Sequence, residues 1–283
     1  MTQPSAVTAM ARERRHTLAF LDEIRPFAPV FLDTEVDMGE VVAHRGAARA
    51  LGRRYSVVSY ILLAAARALR DHPEANAAVR GRRRPRIARY ASVNGKLALD
   101  RKVGGRRVVL SAVLPDLQRA DLAEIQRRVE HFRDGDPATM PEFAGARLLH
   151  RLPWPLRPLL FRLGVRPLRR RAAVFGTFAV SSLGHGVVDG FHSVGGTTVT
   201  LGVGRIADRP VVRDGRVVVA PVMRLSLAFD HRVIDGAEAA DVLADVKRHL
   251  ERFAGTAADG ADGASAGADG LAAEASAAAD TVR

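Results

Sequence analysis

The sequence contains no cysteine among its 283 residues. Disulfide bonds, thiolate nucleophiles and Cys-ligated metals are therefore excluded. The histidines are scattered and never take a paired metal-ligand spacing such as HExxH, so no metal site is predicted. Any catalysis must then use His, Ser, Thr, carboxylates or a borrowed cofactor.

Long apolar runs are also missing. No stretch approaches the roughly 20 apolar residues that a membrane-spanning helix needs, and the N-terminal sequence MTQPSAVTAMARERRH lacks a signal-peptide core. We therefore expect a cytoplasmic protein. Aromatic residues make up only 5% and do not interleave with the arginines, so base stacking, and with it nucleic-acid binding, has little support.

Positive charge is abundant, with 43 Lys and Arg against 31 Asp and Glu and a formal net charge of +12. The excess lies before residue 255, because residues 255–283 carry five carboxylates and one arginine. A basic body favours an anionic partner such as nucleic acid, a phosphate-rich cofactor or a membrane surface. A biased coding composition that leaves many arginines on a solvated surface is an equally good interpretation.

Hydrophobic patterning predicts one large α/β domain over residues 12–253. We expect a flexible N-terminus at 1–11 and a disordered Ala/Gly/Asp tail at 254–283. Residues 148–171, LLHRLPWPLRPLLFRLGVRPLRRR, mix leucines and the single tryptophan with arginines and prolines. They predict short broken helices that cover a core or an interface. Contact with anionic lipid is the lesser alternative for this insertion.

Local signals predict the individual elements. Ser56 is predicted to cap a long apolar helix, and Asp116 to begin a charged amphipathic one. The segment ARYASVNGKLALD, residues 88–100, is predicted to be a strand that is followed by a hairpin turn at Gly104-Gly105. A second hairpin turn is predicted at Asp214-Gly215.

Residues 225–243, LSLAFDHRVIDGAEAADVL, place charged side chains at the end of an apolar strand and directly before a helix. Charged side chains cost free energy when they are buried without partners, so a cluster of them at a strand end indicates a functional site. A lone histidine is more often a structural residue, but His231 lies within the more specific pattern Asp-His-Arg-x-x-Asp-Gly. A turn at a strand end can fix the orientation of a histidine ring that acts as a general base.

At these residues the sequence resembles the catalytic domain of the dihydrolipoyl acyltransferase components of 2-oxoacid dehydrogenase complexes, which share the chloramphenicol acetyltransferase fold. The resemblance extends to four further segments across residues 12–253, which read FLDTEVDMGEVVAHR, YSVVSYILLAAARALRDHPEANA, FGTFAVSSLG and LGVG. It implies an α/β (α+β) fold with a mixed sheet flanked by helices, assembled as a homotrimer.

The resemblance also implies a reaction, the transfer of an acyl group between coenzyme A and a thiol such as a dihydrolipoyl group. His231 would be the general base and Ser181 the donor to the oxyanion, without a covalent protein intermediate. Asp235 would hold the turn, paired with Arg14 or Arg15. The active site would lie between two subunits, and coenzyme A would act as a substrate whose phosphates meet the basic surface.

The sequence departs from the family pattern in three places, and each departure leads to a further expectation. No lipoyl or subunit-binding segment precedes the catalytic part, so we expect this chain not to carry its own swinging arm. The loop before LGVG reads FHSVGGTTVT where the family has an Asn-Pro-rich turn, which implies a changed wall of the substrate channel. The insertion and the tail flank surfaces that assemble the large cores of the relatives, so we expect a free trimer.

The remaining candidates contribute no separate function. His185 lies close enough to Ser181 in sequence to line the same channel, whereas Ser92, Ser182 and Ser193 are interpreted as packing or loop residues. Two alternatives to the thiol-directed enzyme remain: a CoA-dependent acyltransferase that acts on a small alcohol or amine, and a non-catalytic trimeric scaffold or partner of a 2-oxoacid dehydrogenase-type complex. Binding of nucleic acid or membrane by the arginine-rich surface is a weaker third hypothesis.

Overall fold

The computed structural model describes residues 9–81, 83–153 and 156–253. The predicted tail at 254–283 and most of the predicted flexible N-terminus at 1–11 lie outside the described residues. Helices and strands follow one another in short runs along the described chain. In order they are α1 (Arg15–Ile24), β1 (Pro29–Asp37), α2 (Gly39–Ala50), α3 (Val57–Asp71), β2 (Ala77–Arg80), β3 (Arg86–Arg89), β4 (Gly95–Val103), β5 (Arg106–Leu114), α4 (Leu122–Asp134), α5 (Ala144–Arg151), α6 (Leu156–Val165), α7 (Leu168–Phe175), β6 (Phe178–Ser182), β7 (Val199–Arg213), β8 (Arg216–Asp230) and α8 (Gly236–Glu251).

Six strands form one mixed sheet in the order β1-β8-β7-β6-β4-β5, and β2 and β3 form a separate antiparallel ribbon. Strand β6 runs parallel to both of its neighbours, β4 and β7, while the other pairs are antiparallel. The turn at Asp214-Gly215 joins the long strands β7 and β8, with positive φ at both residues, as predicted for this dipeptide. The predicted mixed sheet flanked by helices is confirmed.

Helix α3 is the centre of the core. Ten of its 15 residues are buried, and an apolar helix of this kind is stable only when neighbours cover it on most sides. Ser56 caps it as predicted, with its hydroxyl oxygen accepting a hydrogen bond from the Ser59 amide at 3.2 Å. Helix α8 packs against α3, and both helices face the apolar side of the sheet, where Leu227 and Phe229 are fully buried.

Two predicted boundaries are wrong. The segment 88–100 is not one strand, because the chain leaves β3 and turns before β4 begins. The amide of Asn76 holds that turn by donating to the carbonyls of Tyr90 and Ser92 at 2.7 and 3.0 Å. Likewise Asp116 does not begin the charged helix: it adopts a left-handed conformation with φ of 52°. The helix cap is Asp121, which accepts a hydrogen bond from the Glu124 amide at 2.7 Å.

The insertion folds as the short helices that were predicted, α5, α6 and α7. Helix α1 packs against α5 and α6. Aromatic contacts join α1 and α6 to α7, since the rings of Phe20 and Phe161 both lie against Phe175. In the described part of the chain, no helix is long and apolar enough to cross a membrane.

Candidate active site

The end of β8 is held in a tight turn by Asp230, a buried carboxylate. Its oxygens accept hydrogen bonds from the Arg232 guanidinium, at 2.8 Å for Nε to Oδ1, and from the Ala28 amide at 3.4 Å. The next amide, that of His231, donates to the Ala28 carbonyl at 2.9 Å. The Asp230–Arg232 pair satisfies a charge that would otherwise be costly to bury. The strand therefore stops here, and the His231 side chain projects from its end.

The His231 ring is half-exposed, with 47% of its side chain accessible in the single chain. Its Nδ1 lies 3.4 Å from Oδ1 of Asp235, which occupies the N-cap position of α8 without capping it by its side chain. A carboxylate beside Nδ1 favours the proton on that nitrogen, which leaves the lone pair on Nε2. The turn therefore presents a histidine whose outer nitrogen can accept a proton. The contact between His231 and Asp235 was not predicted, since an arginine was the expected partner of Asp235.

Ser181 lies near the end of β6, in the middle of the sheet, and lines an open cavity of about 320 Å³. The parallel strands β4 and β6 bring residues far apart in sequence to the same wall. The other lining residues come from the start of α1, from β4 and β5, and from the chain just after β6: Arg14, Thr17, Ala98, Asp100, Arg107, Val108, Val109, Ser182, Leu183 and His185.

Charged side chains surround this cavity. The Arg107 guanidinium donates to Asp100 at 2.6 Å and holds the pKa of that carboxyl below its usual value. His185 lines the same cavity as Ser181, which confirms the prediction that the two share a channel. Ser182 lines the cavity as well. With Arg14 added, the wall can attract an anionic or strongly polar ligand.

The structure does not bring His231 to Ser181 within one chain. Ser181 pairs with Gly202 of β7, which pairs with Ser226 of β8, and His231 lies five residues beyond Ser226. Five strand residues advance about 17 Å, and two strand spacings add about 10 Å sideways, so the two Cα positions are roughly 20 Å apart. Neither side chain can bridge that gap. A reaction that needs both groups requires a second copy of the chain.

The glycines of the LGVG motif have a packing role that the sequence did not disclose. Residues 183–198 cross the face of β7, and a Cβ atom at Gly202 would collide with the Phe191 carbonyl oxygen. A Cβ atom at Gly204 would collide with the carbonyl of Asp189 in the same way. The two glycines therefore let the loop before β7 lie directly on the sheet. The segment that departs from the family pattern is thus a packed layer over this face.

Two basic side chains beside that loop, the buried Lys96 and the partly buried Arg171, were not predicted from the sequence. Lys96 donates from Nζ to the Gly195 carbonyl, and Arg171 donates to the Gly196 carbonyl at 2.8 Å. Both stand over the Phe175 ring, at 3.5 Å for Lys96 Nζ and 4.5 Å for the Arg171 guanidinium carbon. Burial lowers the pKa of the Lys96 amine well below its ordinary value, and the charge of Arg171 adds to this. The pair holds the loop in place.

The predicted pairing of Asp235 with Arg14 or Arg15 is not found among the described residues of a single chain. Arg14 lines the Ser181 cavity, and Arg15 donates to the His150 carbonyl at 3.0 Å. The carboxylate of Asp235 faces His231 instead and is 89% exposed. The pair does not form within one chain because Arg14 lies at the Ser181 cavity, away from the His231 turn.

Solved structures of similar fold were found at low sequence identity. A probable dihydrolipoamide acetyltransferase from Listeria monocytogenes 4b F2365 aligns with a TM-score of 0.65 and 20% identity, over 89% of this chain and 97% of that one. Dihydrolipoamide acetyltransferase from Azotobacter vinelandii aligns with a TM-score of 0.65 and 21% identity, over 88% and 93%. These similarities define the class of fold, that of an acyltransferase catalytic core.

Sequence comparison gives the family. A family model described as 2-oxoacid dehydrogenases acyltransferase (catalytic domain) matches residues 3–136 and 168–257. The chain therefore belongs to the 2-oxoacid dehydrogenase acyltransferase catalytic-domain family. A stretch of 50 residues is 60% identical to the dihydrolipoyllysine-residue acetyltransferase component of the pyruvate dehydrogenase complex of Bacillus subtilis (strain 168). That stretch covers 18% of this chain and 11% of the relative.

Proposed function

We propose that the protein is a CoA-dependent acyltransferase that moves an acyl group between coenzyme A and a thiol acceptor such as a dihydrolipoyl group. His231 acts as the general base and Ser181 as the donor to the oxyanion. The observation that carries the proposal is the placement of these two groups on the family fold. A half-exposed histidine follows β8, with no hydrogen bond to its outer nitrogen among the described residues, and a serine on β6 lines an open cavity that also contains charged side chains.

The proposed reaction needs both groups. Nε2 of His231 takes the proton of the acceptor thiol, and the thiolate attacks the carbonyl carbon of the acyl-CoA thioester. The carbonyl oxygen becomes an oxyanion, to which the Ser181 hydroxyl donates a hydrogen bond. When the tetrahedral intermediate collapses, the bond to the CoA sulfur breaks and that sulfur receives the proton held by His231. The acyl group has then moved between two thiols, and His231 is neutral again.

We further propose that the site lies between two chains of a trimer. The separation of roughly 20 Å between Ser181 and His231 excludes a site within one chain, because strand geometry fixes it. A cyclic arrangement lets each chain give its histidine to one neighbour and its serine cavity to the other. The exposed faces of His231 and Asp235 are then the surfaces that the second chain covers.

The relatives support this assignment of roles. The Azotobacter vinelandii structure was solved in an investigation of a serine, a histidine and an asparagine in the catalytic mechanism, and its histidine and asparagine are four positions apart. In this chain His231 and Asp235 have the same spacing. The Bacillus subtilis relative is a component of the pyruvate dehydrogenase complex, which favours a dihydrolipoyl acceptor carried by a partner protein. Arg14 and Arg107 at the cavity suit the phosphates of coenzyme A.

The proposal is tested by following thiol release from acetyl-CoA and longer acyl-CoAs with free dihydrolipoamide as acceptor. Wild-type protein is compared with His231→Ala and Ser181→Ala. His131→Ala is the matched control for the histidine, because His131 is also exposed beside a carboxylate, that of Glu142 at 2.9 Å. Ser92→Ala is the control for the serine. Loss of turnover in both site variants but in neither control supports the proposal.

A folded protein that shows no turnover with any acyl-CoA contradicts the proposed transfer to a dihydrolipoyl thiol. A titration with coenzyme A then separates an enzyme with a different acceptor, which still binds it, from a scaffold, which does not. Light scattering tests the assembly separately. The account predicts about three times the chain mass of 30.5 kDa, and a monomer contradicts the shared site.

A further inference from the structure

Helix α6 exposes an apolar stripe to solvent. Leu156, Leu159, Leu160 and Leu163 are 45%, 53%, 40% and 62% exposed, at the spacing i, i+3, i+4 and i+7. This spacing places the four side chains within about 100° of the helix surface. In a globular domain a stripe of this kind normally faces the core, so its exposure indicates a surface that something apolar covers.

The opposite side of α6 is already occupied, which fixes the direction of the stripe. The Phe161 ring lies edge-on to Phe175 at 6.5 Å between centroids, and Val165 is buried. Glu23 of α1 pairs with Arg166 at 2.9 Å, just beyond the end of α6. The helix is thus anchored to α1 and α7 through one face, and it cannot rotate its leucines inward without losing these contacts.

The charge of this part of the chain is entirely of one sign. Residues 144–175, which include α5, α6 and α7, contain eight arginines and no aspartate or glutamate. At 100° per residue, Arg157 and Arg162 lie on either side of the leucine stripe, and Arg169 and Arg170 are exposed on the following helix. The surface is therefore a strip of leucine bordered by guanidinium groups.

The common family scaffold does not require this surface. The family match stops at residue 136 and resumes at 168, so α5 and α6 lie in a segment that the match leaves out. Helix α1, which packs against both, adds two further exposed leucines, Leu18 and Leu21. The apolar, basic character of the surface therefore belongs to the insertion and to the helix beside it.

We propose that α6 binds the surface of an anionic phospholipid membrane. The helix lies in the plane of the interface with its leucines among the upper acyl chains, and the bordering arginines contact the lipid phosphates. A second copy of the chain suits the surface less well. In a contact between two copies, the arginines of residues 144–175 would meet the same arginines of the other copy, and this segment has no carboxylate to pair with them. Anionic lipid headgroups would neutralise these arginines instead. The inference is independent of the proposed acyltransferase activity.

The test is co-sedimentation of the whole protein with vesicles. One set contains equal parts of phosphatidylglycerol and phosphatidylcholine, and the other contains phosphatidylcholine alone. We expect binding to the anionic vesicles that is at least about tenfold tighter than to the neutral ones and that weakens with added salt. The variant Leu159→Ser/Leu163→Ser should bind the anionic vesicles at least about tenfold more weakly, because it removes buried apolar area.

Leu51→Ser/Val187→Ser is the matched control, since it removes two apolar side chains that are 70% and 86% exposed elsewhere on the molecule. It should bind as the wild type does. Arg162→Gln/Arg170→Gln, which leaves the leucines in place, should also weaken binding several-fold and replaces the leucine variant if that variant does not fold.

Three outcomes would overturn the proposal. The first is a wild-type protein that does not sediment with anionic vesicles, and the second is binding that the leucine and arginine variants leave unchanged. The third is a leucine variant that has a smaller assembly mass in light scattering than the wild type. That result would assign the stripe to a contact between copies of the chain.

Discussion

The His231 turn and the Ser181 cavity are built in opposite ways. His231 projects from the end of a strand, is half-exposed, and has a single carboxylate beside its ring. Ser181 lies in the middle of the same sheet, in a cavity with walls from four segments of the chain. The His231 turn has a general base but no pocket for a substrate. The Ser181 cavity has room for a substrate but does not contain His231. Each is one half of a site.

The largest effect is expected for His231→Ala. General acid–base groups typically contribute about 10² to 10⁴ in rate, so acyl transfer should fall by about 10³. The fall should appear in kcat with little change in the affinity for coenzyme A, because the pocket lies at Ser181. Steady-state kinetics on the variant and on His131→Ala measure this. An equal loss in both variants would show that the histidine has no special role.

Ser181→Ala should have the next largest effect. Removing one donor to an oxyanion typically costs about 10² to 10³ in rate, and we expect the lower figure here. The variant should keep the wild-type dependence of rate on pH, since the base is untouched. A rate within twofold of the wild type would remove Ser181 from the mechanism, and Ser92→Ala controls for the loss of a hydroxyl elsewhere.

Asp235 should matter less than His231 and Ser181, because it orients the ring and touches no reacting atom. Asp235→Ala is expected to lower kcat by up to about tenfold, since a lost orienting contact of about 1 kcal/mol changes a rate by less than about tenfold. Asp235→Asn should recover most of that loss, as an amide oxygen can still accept from Nδ1. Comparing the two kcat values is the measurement, and a variant with asparagine that is as slow as the alanine variant would contradict the orienting role.

The smallest effect concerns His72, which contrasts with His231 in having a carboxylate at each ring nitrogen. Nδ1 lies 3.0 Å from Glu238 and Nε2 lies 3.2 Å from Asp245, both on α8. Burial opposes the charged form, but the two hydrogen bonds outweigh it and raise the pKa of His72. The stability that this histidine adds is present in full below its unfolded pKa and is lost as the pH rises through the raised folded pKa.

The free energy of unfolding of the wild type should therefore exceed that of His72→Gln by about 1 kcal/mol or less near pH 6, and by a smaller amount at pH 8.5. Urea unfolding of both proteins at the two pH values measures the difference. A gap that widens with rising pH would have the wrong sign and would contradict the assignment.

Sequence reasoning was most reliable where the geometry is local. The strand that ends just before His231 and the helix that begins just after Asp235 are both predicted by the motif itself, although the contact between the two side chains was not. The cap at Ser56 and the turn at Asp214-Gly215 are local in the same sense. By contrast, the distance between Ser181 and His231 depends on the register of three strands, which no single segment encodes.

Other features of the site arise only from packing between distant segments. Lys96 is buried and Arg171 partly buried because the loop before β7 lies against them, and nothing in either local sequence distinguishes them from surface residues. The role of Gly204 is equally hidden, since the carbonyl that approaches it comes from Asp189. The leucine stripe of α6 differs from these residues in the opposite direction. Leucines at this spacing normally face a core, but the structure exposes them.

Mixing two inactive variants tests the central claim, that one site needs two chains. His231→Ala and Ser181→Ala proteins are unfolded together in equal amounts, refolded, and assayed for acyl transfer. If each site takes its histidine from one chain and its serine from the next, random assembly should restore about a quarter of the wild-type sites. Activity that stays at the level of the separate variants, in refolded trimers, would show that the groups act within one chain or not at all.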